Sequence, residues 1–74
     1  MNLGELRERA GATQAAVARQ MGVTQSRISR IENAELATLE TGTLLRFIEA
    51  LGCAAELFVV IDNEPIVLYR SPTL

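Results

Sequence analysis

Residues 13–33 read Thr13-Gln14-Ala15-Ala16-Val17-Ala18-Arg19-Gln20-Met21-Gly22-Val23-Thr24-Gln25-Ser26-Arg27-Ile28-Ser29-Arg30-Ile31-Glu32-Asn33. Two short segments of helical period share this stretch, and a threonine opens each. The Thr13 hydroxyl can accept from the free amides of a first turn, and Val17, Ala18 and Met21 then fall on one inward face. Gly22 ends that segment, because a glycine at a helix C-terminus takes the left-handed conformation without steric cost. Val23 is a lone apolar residue in the turn. Thr24 caps the next segment, whose inward residues are Ile28 and Ile31. Glu32-Asn33 closes it, with Asn33 expected in the left-handed conformation.

Helix, four-residue turn, helix is the helix-turn-helix unit, in which the second helix enters the major groove of DNA. With Ile28 and Ile31 inward, a step of about 100° per residue gathers Gln25, Ser26, Ser29 and Arg30 on the opposite face. Those residue types suit base reading: Gln can make two hydrogen bonds to adenine, Arg can make two to guanine, and Ser is permissive. Arg27 lies to one side, within reach of a phosphate or a base edge. An ordinary solvated helix face is the competing account of the same residues.

Upstream, Leu3, Leu6 and Ala10 recur at helical spacing before Gly11. Downstream, Leu44, Phe47, Ile48 and Leu51 form the single apolar face of a helix stopped by Gly52. The pattern then changes. Ala54 to Ile61 and Pro65 to Tyr69 are rich in β-branched and aromatic residues and flank Asp62-Asn63-Glu64, a turn sequence, so they are expected to form a hairpin. Leu57, Val59 and Ile61 fall on one face of its first strand, Phe58 and Val60 on the other. A two-stranded hairpin is marginal alone, so two apolar faces call for cover, most economically from a second subunit. Arg70 to Leu74 are expected to be unstructured.

Composition bounds the rest. Seventy-four residues make one small domain, and such a domain buries only about 60% of its unfolded surface. With 49% hydrophobic residues the chain has more apolar side chains than one small core hides. The formal net charge is −2, yet residues 1–33 carry five arginines against three acidic residues, whereas residues 34–74 carry two against six. The first half is the one fit to approach a phosphate backbone. Without histidine and with the single Cys53, His-dependent triads, the common zinc sets and an internal disulfide are excluded, and no metal or cofactor is expected. Cys53 reads as a small buried hydrophobe. The acidic pairs Glu49/Glu56 and Asp62/Glu64 lack any accompanying base or nucleophile and read as solvated charge, so an enzyme is not expected. The longest apolar run, Leu57 to Ile61, is far short of the roughly 20 residues of a membrane helix. Charges near Met1 argue against an export signal, so a cytoplasmic protein is expected.

Leu6-Arg7-Glu8-Arg9-Ala10-Gly11-Ala12-Thr13-Gln14, Val17-Ala18, Gly22-Val23-Thr24-Gln25-Ser26 and Ile28-Ser29-Arg30-Ile31-Glu32-Asn33 together resemble the lambda-repressor-like (XRE or Cro/CI) helix-turn-helix family. The resemblance implies a mainly α fold, a bundle of four to five short helices followed by a C-terminal β-strand or hairpin that pairs in a dimer. It implies base contacts from Gln25, Ser26 and Arg30 and a phosphate contact from Gln14; beside these, Arg27 is expected at a base edge and Thr24, Ser29 and Arg19 at phosphates, with plain solvation the competing account of Arg19. It also implies a structural ion pair between Arg7 and Glu32. The family's usual Glu-Asn-Gly is here Glu32-Asn33-Ala34, which leaves the turn after the third helix to Asn33 or to another form. Thr43-Leu44, Phe47-Ile48 and Ala50-Leu51-Gly52, followed by a hydrophobic strand, are similar to HigA-like and more loosely HipB-like antitoxins.

The expected organisation is a DNA-binding unit over residues 1–52 and a β dimerisation segment over residues 53–74 that uses Leu57, Phe58, Val59, Val60, Ile61, Ile66 and Leu68. The expected function is a dimeric repressor on a palindromic operator, and more narrowly the antitoxin of a type II toxin-antitoxin module, with a small basic RelE-like ribonuclease encoded nearby as its toxin. A stand-alone XRE-type or phage-type regulator, or a helix-turn-helix adaptor that binds protein, would share most of these residues.

Overall fold

Side-chain caps set the helix boundaries in the computed structural model, which describes residues 1–72. Asn2 accepts from the Glu5 amide at 2.8 Å and starts α1 (Leu3–Arg9). Thr13 accepts from Ala16 at 3.1 Å and starts α2 (Gln14–Met21), and Thr24 accepts from Arg27 at 3.1 Å and starts α3 (Gln25–Asn33). Each satisfies an amide that the helix itself leaves without a partner. Gly22 sits at φ 68°, ψ 35°, and the Val23 amide reaches back to the Ala18 carbonyl at 3.0 Å. That turn swings α3 across α2 and drops Val23 onto the core.

A single 3-10 turn (Leu36–Thr38) leads into α4 (Thr41–Ala50). The core consists of Leu3, Val17, Ala18, Ile28, Ile31, Phe47 and Leu51, with Val17, Ile28 and Phe47 fully buried. The four helices thus form one body, and the hairpin β1 (Glu56–Ile61) and β2 (Glu64–Arg70) extends from it. The molecule measures 41 × 25 × 21 Å. Asp62 (φ 50°) and Asn63 (φ 65°) form the two-residue connection, both in the left-handed region required by the hairpin turn whose twist matches the strands. The strands are antiparallel, with Phe58 opposite Val67, Val59 opposite Ile66 and Val60 opposite Pro65. A bulge then leaves Leu68 unpaired, so that Leu57 faces Tyr69.

Five expectations need correction. Asn33 is not left-handed: it is the last residue of α3, its side chain donates to the Ser29 carbonyl at 3.0 Å, and the chain leaves the helix through an extended Ala34 at φ −76°, ψ 152°. An alanine fits there because φ stays negative. Ala10 is exposed and caps α1 instead of packing inward. Ile48 is only half-buried and lies off the core, and Thr43 takes a buried place on α4 in its stead. Glu49 is not solvated charge, being half-buried and hydrogen-bonded to Tyr69 and Ser71. Arg70 and Ser71 are ordered: Arg70 ends β2 and Ser71 is 2% exposed, bonded through both its amide and its hydroxyl to Ala55. The remainder of that tail, residues 73–74, lies outside the described residues.

Candidate nucleic-acid interface

The outward face of α3 is held in place from behind by a chain of polar contacts. Arg7 on α1 donates through Nε to Glu32 Oε2 at 2.6 Å and through Nη2 to Glu32 Oε1 at 3.4 Å, while its Nη1 donates to the Ala12 carbonyl at 3.0 Å. The pair is deeply placed, with side-chain exposures of 14% and 8%. The Glu32 carboxylate raises the Arg7 pKa further above its ordinary value, against the opposing effect of burial. Gln14, the first residue of α2, donates to Glu32 Oε1 at 3.1 Å, and its own Oε1 accepts from Gln25 at 3.4 Å. One carboxylate near the end of α3 therefore ties α1, α2 and the start of α3 together.

Gln25, Ser26, Arg27 and Arg30 are exposed on α3, and Ser29 is half-buried. The face is broader than its sequence pattern suggested. Gln25 belongs to the edge nearest α2, where it meets Gln14. Arg27 and Arg30 belong to the other edge, where they line a cleft of about 240 Å³ with Ile31, Thr38, Leu39, Glu40 and Thr43. Ser26 lies between the two edges. Thr24 uses an oxygen lone pair for the cap and keeps its hydroxyl proton free for a phosphate. Arg19 is exposed in the last turn of α2. Among the described residues Arg9, Arg19, Arg27, Arg30 and Arg46 make no ion pair, so five guanidinium groups on the helical body remain available to an anion, Arg46 while also donating to the Thr43 hydroxyl at 3.4 Å.

Two contributors to this site have no functional signal in the sequence. Gly4 sits where an added Cβ would come within 3.1 Å of Glu32 Oε1, so a side chain there would push the carboxylate by a few tenths of an ångström from its position beside Arg7. A glycine inside an apolar-periodic helix is the one clue to it. The Ala12 carbonyl, the third acceptor for Arg7, carries no side-chain signal at all.

A family described as a helix-turn-helix domain matches residues 2–58. The chain belongs to that helix-turn-helix family. Among similar proteins, antitoxin HigA3 of Mycobacterium tuberculosis (strain ATCC 25618 / H37Rv) is 47% identical over 51 residues, which cover 68% of this chain and 47% of the relative. Antitoxin HigA2 of the same organism is 35% identical over 66 residues, which cover 89% of this chain and 65% of the relative. The chain thus spans less than two thirds of the length of either relative. A solved structure of DNA-bound antitoxin HigA3 superposes on this helix-turn-helix chain with a TM-score of 0.88 at 36% identity, over 93% of this chain and 90% of the other. A second HigA antitoxin structure, described by DNA bending induced through a unique dimerisation, gives 0.83 at 37% identity, over 90% of each chain. Among the described residues no helix is long and apolar enough to cross a membrane, and no group of three or more His, Cys, Asp or Glu side chains is placed to hold a metal ion.

Proposed function

We propose that this chain is the DNA-binding antitoxin of a toxin-antitoxin module, a cytoplasmic dimer that represses its own operon from a palindromic operator. The observation that carries the reading is a helix-turn-helix body with the unpaired Arg27 and Arg30 exposed on α3 and a bare apolar hairpin extending from it, in the arrangement of a DNA-bound antitoxin relative. In this reading α3 enters the major groove, with Gln25, Ser26, Arg27 and Arg30 at base edges and Gln14, Thr24, Ser29 and Arg19 at phosphates. Residues 1–52 bind DNA and residues from 53 onward make the dimer.

The hairpin supports the second half of this reading. Leu57, Phe58, Val59, Val60, Ile61, Ile66, Val67 and Leu68 are all exposed, Val60 and Leu68 by 61% and 62%. Val67, which shares a face with Phe58, joins the residues expected from the sequence. Pro65 carries no N–H, and a proline within a sheet places its nitrogen on the outer edge, so the outer edge of β2 is interrupted. β1 contains no proline and presents an unbroken edge, so a second copy pairs along β1. The toxin partner is a small basic protein of the RelE-like ribonuclease class, encoded beside this gene.

Fluorescence anisotropy with DNA from the region upstream of the gene tests the reading. Tight binding with a steep negative dependence on salt is expected. Salt-independent binding, or none to any upstream fragment, would instead identify a protein-binding adaptor. Co-purification with the product of the adjacent reading frame tests the antitoxin assignment, and an adjacent frame whose product neither binds nor harms growth refutes it.

A further inference from the structure

The helical body and the hairpin meet at one small junction. Neither strand lies along a helix, and the chain between α4 and β1 is a short connector that turns at Gly52 (φ 80°). A single carboxylate oxygen bridges the two parts: Glu49 Oε2, in the last turn of α4, accepts from the Tyr69 hydroxyl at 2.5 Å and from the Ser71 hydroxyl at 2.8 Å. Ser71 in turn closes the root of the hairpin, its amide donating to the Ala55 carbonyl at 2.9 Å and its Oγ accepting from the Ala55 amide at 2.9 Å.

The bulge at Leu68 makes this contact possible. In a regular register Leu57 would face Leu68, and Tyr69 would point to the opposite side of the sheet, because a shift of one residue exchanges the faces. The extra residue turns Tyr69 toward α4. The hydrogen bonds from Tyr69 and Ser71 hold the Glu49 carboxyl below its ordinary range, so it is ionised at neutral pH.

We propose that Glu49, Tyr69 and Ser71 are positioning residues that lock the angle between the hairpin and the helical body, and thereby select the spacing between operator half-sites. The proposal rests on the reading of the chain as a dimeric operator binder. The two recognition helices belong to the bodies and the dimer surface to the hairpins, so the junction angle sets the distance between the helices. With a lever of about 20 Å, half the 41 Å long axis, a tilt of about 10° at the root moves α3 by about 3.5 Å, close to one base-pair step. Without the clamp, Gly52 and the residues after it can rotate, and the dimer loses its preference for one spacing.

The test uses full-length wild-type protein, Tyr69→Phe and Glu49→Gln. An inverted repeat is selected by the wild type from a random duplex pool, then rebuilt with the half-sites one and two base pairs closer or further apart, and also as a single half-site. Sedimentation is expected to show dimers for all three proteins, with equal affinity for the single half-site. The wild type is expected to prefer one spacing sharply. Each variant is expected to lose about tenfold at that spacing and to bind all spacings within about threefold, since a mispositioned second site forfeits part of the effective concentration. Variants that keep the wild-type spacing profile overturn the proposal. So do variants that lose half-site and full-site affinity in equal proportion, which would mark a merely structural contact. A wild type that selects no inverted repeat overturns the dimeric operator reading first, and this proposal with it.

Discussion

Replacing Glu32 by Gln preserves the shape of the side chain and its acceptor for Gln14 but leaves the Arg7 guanidinium without its counter-charge. Arg7 retains only 14% of its side-chain exposure, and its remaining partners are then the Ala12 carbonyl and, at 3.4 Å, the neutral oxygen it shares with Gln14. Removing one member of a buried pair costs roughly 3–5 kcal/mol, because the surviving charge stays desolvated. The residual water contact places this case at the lower end, about 3 kcal/mol. A domain of this size is stable by roughly 4–11 kcal/mol, so the loss is a large fraction of the total. At about 4–8 °C per kcal/mol, the melting temperature should fall by at least about 12 °C. Circular dichroism melts at one fixed protomer concentration measure it, since dimerisation makes the midpoint depend on concentration. The double variant Arg7→Met, Glu32→Leu removes both charges together and should recover most of the loss. A Glu32→Gln protein that melts within about 3 °C of the wild type would refute the reasoning, because the pair would then be worth no more than an exposed one.

Arg30→Ala should cost about 1–3 kcal/mol of operator binding and relax specificity at one base pair, read by anisotropy against single-base operator variants; unchanged affinity and preference would remove Arg30 from the base contacts. Val60→Glu introduces a charge at a site exposed in the isolated protomer, so it should leave the protomer folded and give a monomer by sedimentation; a dimeric variant would refute pairing through β1. The clamp should also respond to pH at both ends. Glu49 lies below its ordinary 4.5, so its contribution is complete above about pH 4.5 and fades as the pH falls through the lower folded-state value. Tyr69 lies above its ordinary 10.0, chiefly because it donates to Glu49, so its contribution is complete below about pH 10 and fades as the pH rises beyond. Tyr69 is the single tyrosine in a chain without tryptophan, so phenolate absorbance reports the second transition directly, and it should move to lower pH in Glu49→Gln. An unmoved titration would mean that the contact does not persist in solution.

The helix-turn-helix was readable along the chain because its signals are local. Thr13 and Thr24 cap within three residues, Gly22 turns the chain at its own position, and Ile28 and Ile31 place the outward face of α3 by helical period alone. The hairpin was equally legible from Asp62-Asn63 and its β-branched flanks, though its strands begin at Glu56 and Glu64. Asn33 was misread because asparagine tolerates the left-handed region without requiring it, and the choice depended on the path toward the 3-10 turn.

What the sequence by itself determined is therefore the set of elements and the side of α3 that faces outward. These follow from interactions spanning one or two turns, for which residue spacing is sufficient information. Only the tertiary structure decided that Gly4 makes room for Glu32 across two helices, that Arg27 and Arg30 share a cleft with Thr38 and Glu40, and that a stretch expected to be loose opens with the last residue of β2 and a buried Ser71. The role of Glu49 belongs with these. It depends on one unpaired residue in β2, which reverses the direction of Tyr69 without leaving any mark in the pattern of apolar residues. Contacts between residues twenty positions apart are set by register and crossing angle, and neither can be read from the chain one residue at a time.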